Sequence, residues 1–397
     1  MAIPPFTSRL RPSLRLLLIA SLLAIGIYFS DFFVLSSEAM WLLVVLMSLL
    51  LVSLCLLGKQ SIAIVPFALF FVVAGIVRAQ LGTFSLLPDA LLLKSEELLH
   101  RLLNYVQHVG LSRDTAGLIQ AMLLGNRAEL SGEVLQIYRN SGTSHILALS
   151  GLHLGILFGL FNYWLMRVLF SRWRYVVGIV GLVFLWGYAL LTGFPISLCR
   201  ASLMMSLLVI GQMRLVGNDG WHTLGLAAFV ILLIAPDSLY EVGFQLSFTA
   251  VAGILMFYRP LCDIWLPSRW WTRGIWQIFL VSVSAQLGTF PLILYYFHQV
   301  SWLGLFISPL FILLATCIVY VGLLLLGVHA LGGGFLLGRL LEGLVGIQHG
   351  LMGFCSHLSS GRIVDVSLPF YCVVLLYIAI LCLRYSLWLF QKDIVRG

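Results

Sequence analysis

The first candidate site is a short stretch that places polar side chains at the start of a long apolar run. Residues 142–156 read Gly-Thr-Ser-His-Ile-Leu-Ala-Leu-Ser-Gly-Leu-His-Leu-Gly-Ile. His145 and His153 lie about 80° apart around a helix, and Ser150 is close to the same face. In hydrocarbon, each of these groups needs an internal partner or a water-filled cavity. Two interpretations stay open: a polar stripe that lines a conduit, or histidines hydrogen-bonded between helices beside a Ser-Gly packing notch.

Metal and nucleophile chemistry are disfavoured at this stretch. The sequence has no H-x-x-x-H or H-E-x-x-H spacing, and the residues around Ser150 do not form G-x-S-x-G. The seven cysteines are scattered and form no C-x-x-C pair. We therefore expect no metal, no cofactor and no catalytic residues.

Arg200 is the single residue whose position most clearly indicates a functional role. Gly193 and Pro195 precede it and are expected to start a helix, which places Arg200 about one turn inside the apolar layer. An arginine in hydrocarbon costs at least about 2.5 kcal/mol, so it must snorkel, pair or face water. The functional interpretation is a cation that lines a path for an anion, with Glu241 as a candidate ion-pair partner.

Two later helices also begin with polar residues. Gln245 and Ser247 fall at the start of one apolar run, and Gln286 and Thr289 with Pro291 interrupt another. Interhelical hydrogen bonds, about 0.6–2 kcal/mol each, are the alternative explanation. Together with Arg200, these openings predict a shared aqueous cavity that opens to the outer side.

The elements that must position these residues are membrane helices. The 397 residues are 61% hydrophobic and only 10% charged, whereas soluble domains carry about 25% charged residues. Continuous apolar runs favour helices over a barrel, so the predicted fold is an all-α polytopic membrane bundle with roughly 10–12 transmembrane helices. The candidate spans are 14–34, 40–57, 62–79, 146–170, 175–192, 197–213, 222–236, 242–258, 275–297, 302–328, 333–355 and 367–390.

Charge distribution predicts the orientation. With a cytoplasmic N-terminus, most of the 23 Lys and Arg residues fall on the cytoplasmic side, and both termini are then cytoplasmic. The expected organisation has four parts: N-terminal transmembrane helices at 1–79, an outer-face amphipathic helical segment at 80–144, a transmembrane core at 145–328 and C-terminal transmembrane helices at 329–397.

The segment 80–144 is the one sizeable stretch without a predicted span. Apolar residues repeat at helical spacing from Leu92 to Val106, which predicts an amphipathic helix at the outer membrane surface or against the bundle. A second helix is expected after Ser112 and to end at Gly125, and a third is expected after Ser131.

Several blocks in this order resemble the ComEC family of bacterial competence proteins. They cover roughly residues 115–325, and their combination is more specific than any one of them. The blocks are Gly125-Asn126-Arg127, Gly142-Thr143-Ser144-His145, Ser150-Gly151-Leu152-His153, Leu191-Thr192-Gly193-Phe194-Pro195, Arg200-Ala201, Gly243-Phe244-Gln245-Leu246-Ser247-Phe248 and Gln286-Leu287-Gly288-Thr289-Phe290-Pro291.

The resemblance implies an inner-membrane channel that passes transforming DNA into the cytoplasm as a single strand. It also implies the residues that line or shape the path, which are His145, Ser150, His153, Arg200, Gln245 and Ser247. A strand carries one phosphate per nucleotide, so it needs water and cations along its way. An outer basic funnel of Arg113, Arg127 and Arg139 is expected to receive it.

The sequence also departs from the family pattern. Members commonly carry a soluble DNA-binding domain and a metallo-β-lactamase-like domain, and this chain has no H-x-H-x-D-H motif and no Walker A motif. We therefore expect no enzyme activity, and expect separate partners to supply it: a periplasmic DNA-binding protein, a nuclease and a cytoplasmic motor or helicase. Single-stranded DNA, membrane lipids and further copies of the chain are the other expected partners.

Two alternative functions remain open. One is a transporter of a small anionic solute or lipid head group on the same frame. The other is an integral membrane enzyme that uses His145, Ser150 and His153, which is disfavoured because no carboxylate accompanies them at a recognisable spacing.

Overall fold

The computed structural model describes residues 12–30, 48, 64–80, 88–140, 174–213, 219–300, 302–359, 364–365 and 369–396, together with 151, 154–155, 157–159 and 161–162. Nearly all of these residues are helical, and the protein is an all-α polytopic membrane protein. Its helices are α1 (Pro12–Tyr28), α2 (Ile64–Gln80), α3 (Asp89–His108), α4 (Arg113–Ile119), α5 (Gly132–Asn140), α6 (Arg174–Leu191), α7 (Ile196–Met213), α8 (Gly220–Ile234), α9 (Val242–Ile264), α10 (Trp270–Phe297), α11 (Trp302–His329), α12 (Phe335–Ser359) and α13 (Phe370–Arg396).

Among the described residues, four helices are long and apolar enough to cross a membrane. They are Val242–Ile264, Thr272–Phe297, Leu310–His329 and Phe370–Leu387. The first extends beyond the predicted span 242–258, because the helix continues through Pro260. Helix α12 is 25 residues long but is not one of the four, since it carries Arg339, Glu342 and other polar residues. The predicted span 40–57, apart from position 48, and most of 146–170 lie outside the described residues.

The chain forms two compact units. One comprises residues 1–88 and 207–248, and the other comprises 89–206 and 249–397. Two of the boundaries between these units fall inside α7 and α9. They do not coincide with the boundaries of the four-part organisation expected from the sequence, and that organisation stays a prediction. We call these the first and second units and describe each by itself.

In the first unit, glycines let the backbones of neighbouring helices approach closely. A Cβ at Gly26 of α1 would lie 1.9 Å from the carbonyl oxygen of Val72 in α2, and a Cβ at Gly75 would lie 2.3 Å from that of Leu23. Gly225 of α8 likewise faces the backbone of Leu17. Close approach of this kind is typical of membrane helices, where van der Waals packing replaces the hydrophobic effect.

A buried arginine joins two helices of this unit. The Arg78 side chain near the end of α2 is only 6% exposed. Its guanidinium donates to the carbonyl oxygens of Leu233 and Ile234 at the C-terminal end of α8. Asp237, in the 3₁₀ turn Pro236–Tyr240, is close enough to interact with it electrostatically. A cation at a helix C-terminus satisfies carbonyls that have no partner within the helix and complements the helix dipole.

The second unit has a core of large side chains. Leu118, Met122 and Leu123 are fully buried with Phe311 and Ile318 of α11. Val106 of the amphipathic helix α3 is buried in the same core, while the placement of the segment 80–144 at the outer face stays a prediction.

Hydrogen bonds to backbone carbonyls reinforce this packing. The hydroxyl of Tyr105 in α3 donates to Leu326 of α11 at 3.0 Å, and that of Tyr188 in α6 donates to Leu123 at 2.6 Å. Tyr138 of α5 is fully buried, and burial raises the pKa of its phenol, which therefore stays neutral at physiological pH.

A small antiparallel pairing closes the loops at one end of this unit. Strand β1 (Gln299–Val300) pairs with β2 (Val364–Asp365), Gln299 opposite Asp365. It fastens the α10–α11 connection to the α12–α13 connection.

Candidate nucleic-acid path

Of the polar stretch 142–156, the structure describes Gly151, Leu154 and Gly155. His145, Ser150 and His153 are outside the described residues. Gly151 lies against α7: a Cβ placed on it would be 3.0 Å from the Cβ of Ala201. Gly151 and Ala201, the residue after Arg200, are thus neighbours in the second unit.

A small apolar cluster holds this contact. Leu154 is fully buried with Leu185 and Ala189 of α6 and with Leu198 of α7, and Gly155 lies against the Met205 side chain. Leu154 therefore contacts both α6 and α7, and Gly155 contacts α7.

The connection from α6 to α7 is held in an uncommon backbone conformation. Gly193 and Phe194 both have positive φ, 79° and 53°, and such a conformation costs a non-glycine residue of order 1–3 kcal/mol. The turn is held by hydrogen bonds from the Phe194 amide to Ala189 at 2.8 Å and from the Thr192 hydroxyl to Tyr188 at 2.9 Å. A bend at Gly193-Pro195 was predicted, but the strained Phe194 was not.

This turn sets the start of α7. The helix begins at Ile196, so Arg200 lies one turn inside the helix, and it is only 6% exposed. Its depth in the apolar layer of the membrane stays a prediction. Ser202, on the other face of the helix, is fully buried, and its hydroxyl has no hydrogen-bond partner among the described residues. The helix is therefore surrounded by protein at this level and carries a guanidinium group there.

Gln245 and Ser247 lie in the first unit at the start of α9. The Gln245 amide donates to the carbonyl of Leu239 at 2.9 Å, and the Ser247 hydroxyl donates to Phe244 at 3.0 Å. Both side chains thus have local backbone partners. Glu241 also belongs to the first unit and Arg200 to the second, so their ion pair stays a prediction.

The Gln286 block lies in the second unit within α10. The Gln286 amide donates to the Ser282 hydroxyl at 3.3 Å, while its Oε1 has no partner among the described residues. The Thr289 hydroxyl bonds back to Ala285 at 3.1 Å. The helix continues through Pro291 without ending.

A close crossing of α9 and α10 explains the glycine in this block. A Cβ at Gly288 would lie 2.1 Å from the carbonyl oxygen of Thr249, and one at Gly253 would lie 2.4 Å from that of Ser284. The Gly288 carbonyl also accepts a hydrogen bond from Tyr377 of α13 at 3.0 Å. Packing against α9 therefore requires a glycine at position 288, independently of any function of Gln286 or Thr289.

The expected basic funnel is partly described. Arg113 and Arg127 are exposed, and Arg139 lies in α5 with its side chain outside the described residues. Arg113 and Arg127 flank opposite ends of α4 and the π-helical turn Gln120–Leu124 that continues it.

Sequence reasoning missed a pocket beside Arg113. It has a volume of about 260 Å³ and lies between α3, α4 and the connection that precedes α5. Gln120, only 1% exposed, lines it at the start of the π-helical turn. Its signal in the sequence is the single glutamine inside the apolar run 118–124. The pocket is lined by Gln107, Leu111, Arg113, Ala116, Gly117, Gln120 and Glu129.

Glu342, an acidic residue within a predicted span, has a structural partner. Its carboxylate accepts a hydrogen bond from the Ser112 amide at 2.8 Å, at the N-terminus of α4. A carboxylate at this position accepts a hydrogen bond from a backbone N–H group that has no partner within the helix. The positive end of the helix dipole stabilises its negative charge. Within the described ranges, no group of three or more His, Cys, Asp or Glu residues is arranged to hold a metal ion.

The fold and the site define a polytopic helical membrane protein that holds a buried cation, Arg200, next to the contact of Ala201 with Gly151. Residues 122–390, more than half of the chain, match the model of the family described as Competence protein. The chain belongs to that family, and the resemblance to the ComEC proteins is confirmed.

Three relatives illustrate the similarity. ComE operon protein 3 of Bacillus subtilis is 34% identical over 221 residues, which cover 55% of this chain and 27% of the relative. Recombination protein 2 of Haemophilus influenzae is 28% identical over 245 residues, 58% of this chain and 31% of the relative. Competence protein ComA of Neisseria gonorrhoeae is 28% identical over 222 residues, 51% and 31% respectively. The match thus covers less than a third of each relative. No solved structure matches the chain.

Proposed function

We propose that this protein is an inner-membrane channel subunit that passes single-stranded transforming DNA into the cytoplasm during natural competence. Membership of the competence family supports a role in natural competence. The observation that carries the role of the site is the buried Arg200, one residue from the Ala201 contact with Gly151.

The physical argument rests on charge. A nucleic-acid strand brings one negative charge per nucleotide, and hydrocarbon cannot solvate it. A guanidinium held inside a protein-lined region can bind a phosphate by two parallel hydrogen bonds. Binding a phosphate of the passing strand would offset the high free-energy cost of burying Arg200.

The other path residues are assigned by the same proposal. His145, Ser150 and His153 flank Gly151 in sequence and are proposed to line the path with Arg200. Gln245 and Ser247 are proposed to shape it, and an ion pair between Arg200 and Glu241 would hold the cation when no strand is present.

The remaining assignments follow the family analogy. Both termini are proposed to be cytoplasmic, and Arg113, Arg127 and Arg139 to receive the strand on the outer side. The proposed partners are a periplasmic DNA-binding protein, a separate nuclease, a cytoplasmic motor or helicase, and further copies of this chain. The polypeptide itself is proposed to conduct DNA rather than to cleave it.

The test is uptake of labelled DNA into the cytoplasm of a deletion strain complemented with variants. Arg200→Ala is expected to reduce uptake at least tenfold while the protein accumulates normally in the membrane fraction, and Arg200→Lys to restore part of the uptake. Arg101→Ala is the matched control, since Arg101 is exposed and its ion-pair partner in the described part of the chain is Glu97, one turn away at 2.6 Å.

Normal uptake with a well-expressed Arg200→Ala variant would contradict the role of Arg200. Normal uptake in the deletion strain would contradict the channel function itself. In that case, flux of a small anionic solute in proteoliposomes becomes the function to measure.

A further inference from the structure

The connection between α9 and α10 concentrates arginine and tryptophan. Residues 259–276, which we call the α9–α10 turn, contain Arg259, Arg269 and Arg273 together with four tryptophans. All three arginines are exposed, and Asp263 is the single acidic residue of the turn. Three positive charges against one negative charge leave the turn with a net charge of +2. This surface therefore favours an anionic partner.

The turn lies at a membrane surface. Both helices that border it are long and apolar enough to cross a membrane, and their apolar segments are Val242–Ile264 and Thr272–Phe297. Because two consecutive crossing helices are joined on one side of the membrane, residues 265–271 lie at the level of the lipid head groups. This placement holds on either side of the membrane, so it does not depend on the proposed orientation of the chain.

Two tryptophans fix the shape of the turn and still present an apolar surface. Trp276 Nε1 donates to the carbonyl oxygen of Trp265 at 3.0 Å, and the two rings pack edge to face with their centroids 4.8 Å apart. Trp265 nevertheless stays 57% exposed, and the neighbouring Ile264 stays 49% exposed. Exposed tryptophan at the end of a membrane helix suits the boundary between hydrocarbon and head groups, because its ring is apolar and its N–H group is polar.

The stability of α10 does not explain the arginines at its start. The Arg273 amide bonds to the Arg269 carbonyl at 2.9 Å, which places the two residues one helical turn apart. Two like charges at this spacing repel each other. The first turn of α10 contains no acidic residue, and the positive end of the helix dipole disfavours cations there. A bound anion would offset both repulsions.

The neighbouring side chains narrow the class of anion. A guanidinium group binds phosphate through two parallel hydrogen bonds. Arg273 also lies close enough to Tyr258 to interact with it electrostatically, so the cation stands beside the end of α9 as well as on α10. The ligand must combine a phosphate with an apolar part that contacts the exposed Ile264 and Trp265. A phospholipid meets both conditions, and a net negative head group avoids bringing a second cation next to the arginines.

We propose that the α9–α10 turn binds the head group of an anionic phospholipid, with its phosphate on Arg269 and Arg273 and the upper part of its acyl chains against Trp265. Arg259 adds attraction for a negatively charged membrane surface. The bound lipid holds the ends of α9 and α10 at that surface. This inference goes beyond the proposed function and does not rest on it, since it needs only the two membrane helices and their connection.

The experiment maps which lipid contacts the turn. The purified full chain is placed in nanodiscs that contain equal amounts of phosphatidylglycerol and phosphatidylcholine, and one of the two lipids carries a photoreactive group near its head group. Mass spectrometry of the cross-linked peptides then measures labelling of residues 259–276. We expect about fivefold more labelling by phosphatidylglycerol than by phosphatidylcholine at low salt, and a smaller preference at high salt, because ions screen exposed charges.

Substitutions at two arginines test the assigned contacts. Arg269→Gln combined with Arg273→Gln should lower the preference to about twofold or less, because both phosphate-binding cations are lost. Arg269→Lys combined with Arg273→Lys keeps the charges and should keep most of the preference. Arg101→Gln is the matched control, since it makes the same chemical change on an exposed arginine of α3 that pairs with Glu97 at 2.6 Å. It should leave the labelling of the turn unchanged.

Equal labelling of the turn by the two lipids in the wild-type protein would overturn the proposal. A preference that persists in the doubly glutamine-substituted variant would also overturn it. If an added dT12 oligonucleotide removes the labelling by phosphatidylglycerol, the arginines serve a nucleic-acid strand instead, and the lipid site is refuted. The uptake assay with Arg200→Ala tests the channel proposal separately, so the two proposals can fail independently.

Discussion

Two buried polar side chains, one in each unit, have opposite surroundings. Arg78 in the first unit donates to two carbonyls at the end of α8 and has Asp237 nearby. Gln120 in the second unit satisfies its amide nitrogen on Leu103, but its buried oxygen has no hydrogen-bond partner among the described residues. Both are polar residues in otherwise apolar helices. Their hydrogen-bond partners, and not their burial, distinguish a fully satisfied structural cap from a polar group that keeps a buried unpaired atom.

The contacts of α1 in the first unit and of α11 in the second also differ in their packing. Helix α1 meets α2 and α8 through Gly26, Gly75 and Gly225, where backbone touches backbone. Helix α11 meets the π-helical turn Gln120–Leu124 through large buried residues such as Met122 and Phe311. A backbone contact leaves no side chain that can adjust, whereas a side-chain core can repack at modest cost. The contacts of α1 should therefore tolerate substitution less well than this side-chain core does.

The largest effect is expected from Gly26→Val. The added Cβ would meet the Val72 carbonyl, which cannot move without separating α1 from α2, so the cost should be about 3 kcal/mol or more. Thermal unfolding in detergent and the yield in the membrane fraction measure it. Gly187→Val is the matched control in α6, where an added Cβ meets nothing within 4 Å. Equal stability of the two variants would contradict the close packing of the first unit.

A smaller loss is expected from Arg78→Met. This change keeps the apolar stem but removes both donors to the end of α8, at a cost of about 1–3 kcal/mol for the carbonyls left unpaired. Arg78→Lys should recover part of the stability, since an ammonium can still reach one carbonyl. DNA uptake per folded molecule should stay unchanged. A variant that is fully stable but fails in uptake would show that Arg78 is functional and would break the contrast with Gln120.

The smallest effect is expected from Tyr188→Phe in the second unit. The substitution removes one hydrogen bond, to the carbonyl of Leu123, and keeps the ring that stacks near Phe184. Hydrogen bonds between membrane helices average about 0.6 kcal/mol, so thermal stability should fall only slightly. A loss of thermal stability as large as that of Arg78→Met would show that the side-chain core of the second unit does not tolerate substitution better than the contacts of the first unit.

Local rules predicted much of the second unit's polar segment. Gly125 ends the helical run with a positive φ, as a left-handed C-cap requires, and the Ser131 hydroxyl accepts the Val134 amide at 3.3 Å at the start of α5. Ser112 precedes α4 as predicted, but its hydroxyl donates to the Thr115 hydroxyl and accepts no capping hydrogen bond from the backbone amides of α4. These features depend on a few consecutive residues, which is why the sequence is sufficient for them.

The candidate site was predictable only in part. The depth of Arg200 follows from Pro195 and from helix geometry, and its burial at 6% agrees with a cation surrounded by protein. The contact of Gly151 with Ala201 and the pocket at Gln120 were not predictable, because each joins residues from separate helices. A glutamine in an apolar run gives the same sequence pattern whether its side chain bonds to a carbonyl, a serine or a ligand.

Composition, apolar run length and ordered motifs were enough to identify a helical membrane protein of the competence family. Which polar residues are already hydrogen-bonded could be read only from the folded chain. Gln245 bonds to Leu239 and Glu342 to Ser112, whereas Gln120 keeps a free acceptor among the described residues. The reason is that hydrogen bonds act over about 3 Å, so their partners are set by three-dimensional packing and not by distance along the chain.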